Sequence, residues 1–286
     1  MQKKRHSLLL PLVLLAIALT ATSAQAATLV EHNALPSVEQ HWSAASFSNT
    51  LEPSGAPEFG RCIKTVGGAY ENAGCTMTGS GKNYEWYSAF GSAQPLEKVG
   101  FSDAIKEGTV ATLETINKNV ITCEGETASG EYTGNKTIGN FVVSFSKCSA
   151  FGMSCKSEGA AAGTIVTYPL DGSLGIEELG SEASLNAIGE DLYPPGHSGP
   201  VGEFNCGGVP MTIAGSIISP VSDNAMKLTS TIKSKAVKGK QRPENFVSEP
   251  VDVLMTTING GSAEQAGETL ATIQTNEEKV EINSVL

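Results

Sequence analysis

From Glu58 onward, short runs of β-branched and aromatic residues alternate with polar ones, and most runs end in a cluster of Gly, Asn, Asp or Ser. A period of two sends successive side chains to opposite faces of a sheet, so this pattern predicts antiparallel strands joined by short turns. Strands are expected over 61–66, 84–89, 110–116, 120–124, 130–132 and 140–146. They continue over 163–170, 173–178, 211–218, 227–237, 251–257, 269–274 and 280–285. The clearest expected hairpin joins the run ending at Leu170 to Ser173-Leu174-Gly175-Ile176 through Asp171-Gly172, because Asp-Gly supplies the positive φ angles of a two-residue turn. Pro169 places one strand of that hairpin at an edge or ends it early. Helical periodicity longer than three turns is absent after residue 58, and no repeat of fixed period points to a solenoid or propeller. The expected fold is mainly β: an antiparallel sandwich, jelly roll or barrel.

The N-terminus has a different pattern. Lys3, Lys4 and Arg5 precede an apolar run from Leu8 to Leu19, followed by the small residues of Ala21-Thr22-Ser23-Ala24-Gln25-Ala26. This is the order of a secretory signal peptide, with cleavage expected after Ala26. The apolar run falls short of the roughly 20 residues needed to span a bilayer as a helix, so no membrane span is expected after cleavage. Residues 27–57 read as a loosely ordered leader in which only 37–45 has helical promise, with Ser37 as its cap. Residues 58–286 form the expected β-rich domain, and a sub-division would fall near 193–200, at Tyr-Pro-Pro-Gly-His-Ser-Gly-Pro.

Charge narrows the partners. Cleavage takes Lys+Arg from 19 to 16 and leaves Asp+Glu at 30, so the formal charge moves from −11 to −14. Such a field repels phosphate backbones, and nucleic acid is not an expected partner. The six cysteines, Cys62, Cys75, Cys123, Cys148, Cys155 and Cys206, form an even set behind an export signal, which predicts disulfides. Fifteen connectivities are open to six cysteines. Sequence proximity favours Cys62–Cys75 and Cys148–Cys155, leaving Cys123–Cys206 to join distant strands. No C-x-x-C occurs, and no metal or cofactor site is expected.

Four passages carry a resemblance: Pro57-Glu58-Phe59-Gly60-Arg61-Cys62, Gly130-Glu131-Tyr132-Thr133-Gly134, Gly159-Ala160-Ala161-Ala162-Gly163-Thr164-Ile165-Val166-Thr167 and Thr275-Asn276-Glu277-Glu278. Across most of residues 57–285 the chain resembles a family of exported, uncharacterised actinobacterial proteins. The resemblance implies secretion and a disulfide-stapled β fold, and it assigns no activity.

Catalytic signatures are sparse. G-x-S-x-G is absent, and His197-Ser198 within a Gly/Pro loop reads as surface rather than as a nucleophile with its base. His32, His41 and His197 belong to no metal-ligand spacing. Glu177-Glu178, Glu190-Asp191 and Glu277-Glu278 are carboxylate pairs, but neighbours on a strand face opposite ways, so none forms a glycosidase pair by itself. No catalytic residue is therefore assigned. Tyr84 and Trp86, which share one face of an aromatic run, are candidates for a recognition surface or for the core. Lys227, Lys233, Lys235, Lys238, Lys240 and Arg242 make the one sustained basic stretch, with Met226, Leu228 and Ile232 expected to alternate inward. Lys233 and Lys235 are its candidate contacts for an anionic partner, and edge protection by lysine is the plainer reading.

The leading expectation is a secreted or cell-envelope, non-enzymatic binding, adhesion or structural module whose partner is a cell-wall or extracellular polymer or a surface protein. A secreted polysaccharide hydrolase, its carboxylates gathered by the fold, is the alternative. A third expectation is an inhibitor that presents a loop braced by Cys148–Cys155.

Overall fold

A computed structural model describes residues 57–88, 99–182, 185–221 and 225–283. The predicted signal peptide, the leader up to residue 56 with its expected helix at 37–45, His32, His41 and Ala89 lie outside the described residues. The described residues are 57 % strand and 2 % helix. The first strands are β1 (Glu58–Lys64), β2 (Tyr84–Ser88), β3 (Gly100–Ile105), β4 (Ala111–Thr115), β5 (Val120–Cys123) and β6 (Gly125–Tyr132). Next come β7 (Thr137–Ser146), β8 (Ser149–Ala150), β9 (Met153–Lys156), β10 (Ile165–Val166), β11 (Leu170–Glu178) and β12 (Ala187–Tyr193). The chain continues through β13 (Pro200–Cys206), β14 (Val209–Ala214), β15 (Ile217–Pro220), β16 (Lys227–Ser234), β17 (Met255–Ile258) and β18 (Glu264–Asn283).

Of the three architectures left open, the protein adopts the barrel. Eight antiparallel strands close in the order β3-β6-β7-β11-β12-β15-β16-β18 and back to β3. The β15 to β16 step is made by the Val221–Ile232 bridge. The outer strands run β4-β5-β8-β9-β13-β14-β17, and both ends of that series pair with the first residues of β18. β1 pairs with the far end of β18, and β2 pairs with β1. The 20-residue β18 is thus common to every part of the sheet. Its length has a local cause: after Gly267 it contains neither Gly nor Pro, and its run of Thr, Ile and Val suits an extended backbone. The polar Thr275–Glu278 passage, expected to separate two strands, continues as strand, and three of its side chains are used. Asn276 is buried, Glu277 accepts from the Gly100 N–H at 3.0 Å, and Glu278 accepts from Arg61 at 2.6 Å.

Two apolar clusters fill the interior. One, with Phe59, Phe101, Tyr132, Ile138 and Phe141, plugs the barrel. The other, with Ile121, Phe204, Met211, Ile213 and Leu254, lies beneath the outer strands. Phe145, Leu192 and Val201 pack against both.

Two local expectations are corrected. Asp171-Gly172 is no turn, because both residues lie within β11, which pairs with β7 and β12. Glycine is required there by close approach: a Cβ on Gly172 would sit 2.7 Å from Ile138 Cγ1 and 2.9 Å from the Asp191 carbonyl oxygen. Gly172→Ala is expected to destabilise the protein by about 1–3 kcal/mol through overpacking, read as a lower urea midpoint at unchanged slope. Only the start of the basic stretch forms a strand, β16, which ends at Ser234 short of Lys235, Lys238, Lys240 and Arg242, and a register shift between Lys227 and Thr229 turns Leu228 outward, leaving it 47 % exposed.

All six cysteines form disulfides: Cys62–Cys75, Cys123–Cys148 and Cys155–Cys206. The first is the expected pair, and the other two replace Cys148–Cys155 and Cys123–Cys206. The reason lies in the register. Cys155 faces Cys206 across β9 and β13, and the Thr122–Ser149 pairing carries on to Cys123 and Cys148. The Cys155 N–H also donates to the Cys148 carbonyl at 2.9 Å, so the four cysteines form one row across β5, β8, β9 and β13. The end members of the row are separated by three strand spacings, about 14 Å, too far for a disulfide. Joining the middle pair would strand them both. The loop brace invoked for an inhibitor therefore does not exist.

Candidate functional site

The alternation that builds the barrel also fills its interior. On β3, Phe101 and Asp103 are buried and Ser102 is exposed; on β6, Glu126, Ala128 and Tyr132 are buried. β12 contributes Ile188 and Glu190, and β18 contributes Thr272, Gln274 and Asn276 at every second position. Polar groups thus occupy the phase of each strand that normally carries the apolar face. Some of them satisfy one another: the Tyr132 hydroxyl donates to Asn276 Oδ1 at 2.8 Å, and Gln274 Nε2 donates to Tyr132 Oη at 3.1 Å.

Between the two apolar clusters lies a cavity of about 140 Å³. Ile121, Val143, Phe204, Ile213, Leu192 and Leu254 are among its walls, and Ile232 of the basic strand reaches it from β16. Four carboxylates also line it: Asp103, Glu126, Glu190 and Glu268. No Lys, Arg or His does so among the described residues. Glu190 additionally borders a second space of about 20 Å³ beside Tyr132, Gln274 and Asn276.

Burial sets the protonation of these acids. Asp103 is raised from 3.8 to about 7 by loss of hydration. Desolvation raises Glu126 from 4.5 to about 8, assisted by the charges of Asp103 and Glu268. Glu190 is also raised to about 8, by burial first and then by Asp103 and Asp191. Glu268 is raised to about 7 by burial, partly offset by the Ser234 hydroxyl that donates to its Oε2 at 3.2 Å. Asp103 Oδ1 and Glu126 Oε2 are buried without a hydrogen-bond partner. Such an arrangement can store protons near neutral pH and offers several acceptors to a donor group brought in from outside. Among the described residues, no three His, Cys, Asp or Glu side chains are grouped to hold a metal ion.

Of the acids, histidines, serine, aromatics and lysines singled out in the sequence, only Glu190 lines the cavity among the described residues. Asp191 faces outward from the barrel, as alternation requires, and lies near His197, Glu249 and Asp252. Glu177 sits over Gly189 on the outer side of β12. His197 stacks on Tyr193 at 3.8 Å and meets Asp252 at 3.3 Å through Nδ1, but Ser198 is exposed with no bond to it, so the loop presents no nucleophile. Trp86 is half-buried over Gly60, and its indole N–H donates to Glu281 at 2.8 Å. Tyr84 lies on the same strand. Lys233 and Lys235 are exposed, with Lys233 opposite Ala271. Ala271 and Glu281 stand ten residues apart on one continuous strand, roughly 30 Å, so the aromatic and basic candidates do not share one surface.

Asp103, Glu126 and Glu268 were not singled out in the sequence. A signal for the first two exists: each is an acid on the apolar phase of its strand, Asp103 with Phe101 and Ile105, Glu126 with Ala128 and Tyr132. Glu268 carries the same mark, with Ala266 and Leu270 two positions away on either side, but the expected strand began one residue after it. Among the described residues no helix is long and apolar enough to cross a membrane, and with three disulfides this is consistent with an extracellular protein. No protein-family model, curated protein or solved structure matches the chain.

Proposed function

We propose that the protein is exported and acts as a non-enzymatic binding protein that encloses one small, largely apolar ligand inside its barrel. The observation that carries this reading is the cavity of about 140 Å³ between the two apolar clusters. Eight-stranded barrels are wide enough to be packed by side chains or to hold one small ligand, and a dry cavity of about 150 Å³ accepts benzene. Export is supported by the signal-like N-terminus and by the disulfides.

The test is titration with benzene, followed by methyl NMR. Saturable shifts are expected at Ile121, Val143, Ile213 and Leu254, with a rise in Tm that grows with ligand concentration. Shifts confined to exposed residues such as Val66 or Leu228, or none at all, would remove this reading.

Polysaccharide hydrolysis has one observation in its favour: Glu190, Asp103 and Glu126 meet in one cavity. Pockets for small molecules usually measure about 300–1,000 Å³, and a polymer needs an open groove in addition. Release of reducing ends from cell-wall glycans, abolished by Glu190→Gln, would favour the hydrolase over the binding protein.

A further inference from the structure

We infer that the ligand of the barrel interior carries a protonated nitrogen, as a compact organic ammonium whose apolar body occupies the cavity and whose N–H groups bond to its acids. This rests on the interior-binding reading above and deepens it. Two observations support it independently of the number of acids. First, Asp103 and Glu126 are 7 % and 4 % exposed, both line the cavity, and each has a buried carboxyl oxygen without a partner. Unsatisfied acceptors in an apolar interior are costly, and a ligand that brings donors is favoured over one that does not. Second, the apolar walls match an aliphatic or single-ring body rather than a hydrated ion, and no metal-holding group exists among the described residues.

The groups facing the site are acidic on every element that reaches it with a titratable side chain: Asp103 on β3, Glu126 on β6, Glu190 on β12 and Glu268 on β18. Tyr132 lies beside Glu190 below the cavity, and its hydroxyl stays protonated. No cationic side chain lines the cavity to compete with the ligand. Binding is proton-balanced: the ligand enters as an ammonium, one carboxyl gives its proton to solvent, and a single positive charge then faces a single carboxylate. The association is therefore tied to proton release, and affinity rises with pH from 5 to 8 as the acids ionise more readily.

The experiment compares benzylamine with benzyl alcohol, which have the same size and shape, by calorimetry on the full chain at pH 7. Benzylamine is expected to bind at least about tenfold more tightly, the equivalent of one charge-assisted contact. Repeating the titration in buffers of different ionisation enthalpy is expected to show release of about one proton. In Asp103→Asn and Glu126→Gln, two substitutions of unchanged shape, the amine is expected to fall to the affinity of the alcohol. Equal or tighter binding of the alcohol overturns the ammonium assignment and leaves the enclosed apolar site standing. If neither compound shifts the interior methyl signals, both readings fall.

Discussion

At pH 8 the protein is expected to melt about 10 °C below its melting temperature at pH 5, the reverse of the usual acid lability. Asp103, Glu126 and Glu190 are buried and are raised to about 7, 8 and 8. Their unfolded values lie near 3.8 and 4.5. Below about pH 3 these acids are protonated in both states and contribute nothing to the pH dependence. Between there and the folded-state values the unfolded chain has released protons that the folded one retains, so every step upward in pH favours unfolding. The loss is complete once pH passes about 8, where the folded state must also ionise.

A rise of a single pH unit at one buried acid is worth about 1.4 kcal/mol, so if these mutually interacting acids realise even one unit each of the larger rises above, the total is about 4 kcal/mol. For a domain of this size that is a change of about 10 °C in Tm. Asp191 and Glu177, raised by burial to about 6 and 7, act in the same direction. So does the growing negative charge of an acidic chain. Calorimetric melting from pH 4.5 to 8.5 at fixed ionic strength is the measurement, and a flat or rising Tm would contradict it. The variants sharpen the point. Glu126→Gln and Glu190→Gln cannot ionise, so each is expected to be more stable than the parent at pH 8 and about equal to it at pH 5.

Removing the Cys155–Cys206 bridge is expected to cost more than removing either of the others. It closes the longest loop, with a sequence separation of 51 against 25 and 13. The loop-entropy relation gives about 4 kcal/mol for it, about 3.5 for Cys123–Cys148 and about 3 for Cys62–Cys75. Burial widens the gap to Cys62–Cys75, since the other four cysteines all lie in one buried cluster. Cys155 and Cys206 are fully buried within the cluster beneath the outer strands, beside Met211, so Cys155→Ala with Cys206→Ala also leaves a cavity. The Cys62–Cys75 bridge instead braces a loop that carries the exposed Val66. Urea titration of the three double-alanine variants at pH 5 should rank them in this order. A larger loss from Cys62→Ala with Cys75→Ala would show that the β1–β2 region, rather than the four-cysteine row, holds the structure together.

The register behind that row also explains how far the sequence could be read. Where a strand carried a strong local pattern, as over Arg61–Lys64, Ala111–Thr115, Phe141–Phe145 and Lys227–Ser234, its position was legible. Strands β3, β12 and β13 escaped notice because buried acids and glycines interrupt their apolar phase: Asp103 in the first, Gly189 and Glu190 in the second, Gly202 in the third. The Asp171-Gly172 hairpin failed for a related reason. A dipeptide that suits a turn also suits a strand position that packs against Ile138, and the choice belongs to the neighbour.

By itself, then, the sequence determined the alternation, because side-chain direction along an extended backbone is a local property with a period of two. It also determined that the chain is acidic, that its cysteines are even in number, and that adjacent acids such as Glu190 and Asp191 face opposite ways. Tertiary structure alone decided that eight strands close into a barrel, that Cys155 meets Cys206, and that acids on β3, β6, β12 and β18 share one cavity. Those outcomes depend on which strands become neighbours and in what register. Strand pairing joins residues more than a hundred positions apart, and no period within a single segment encodes it.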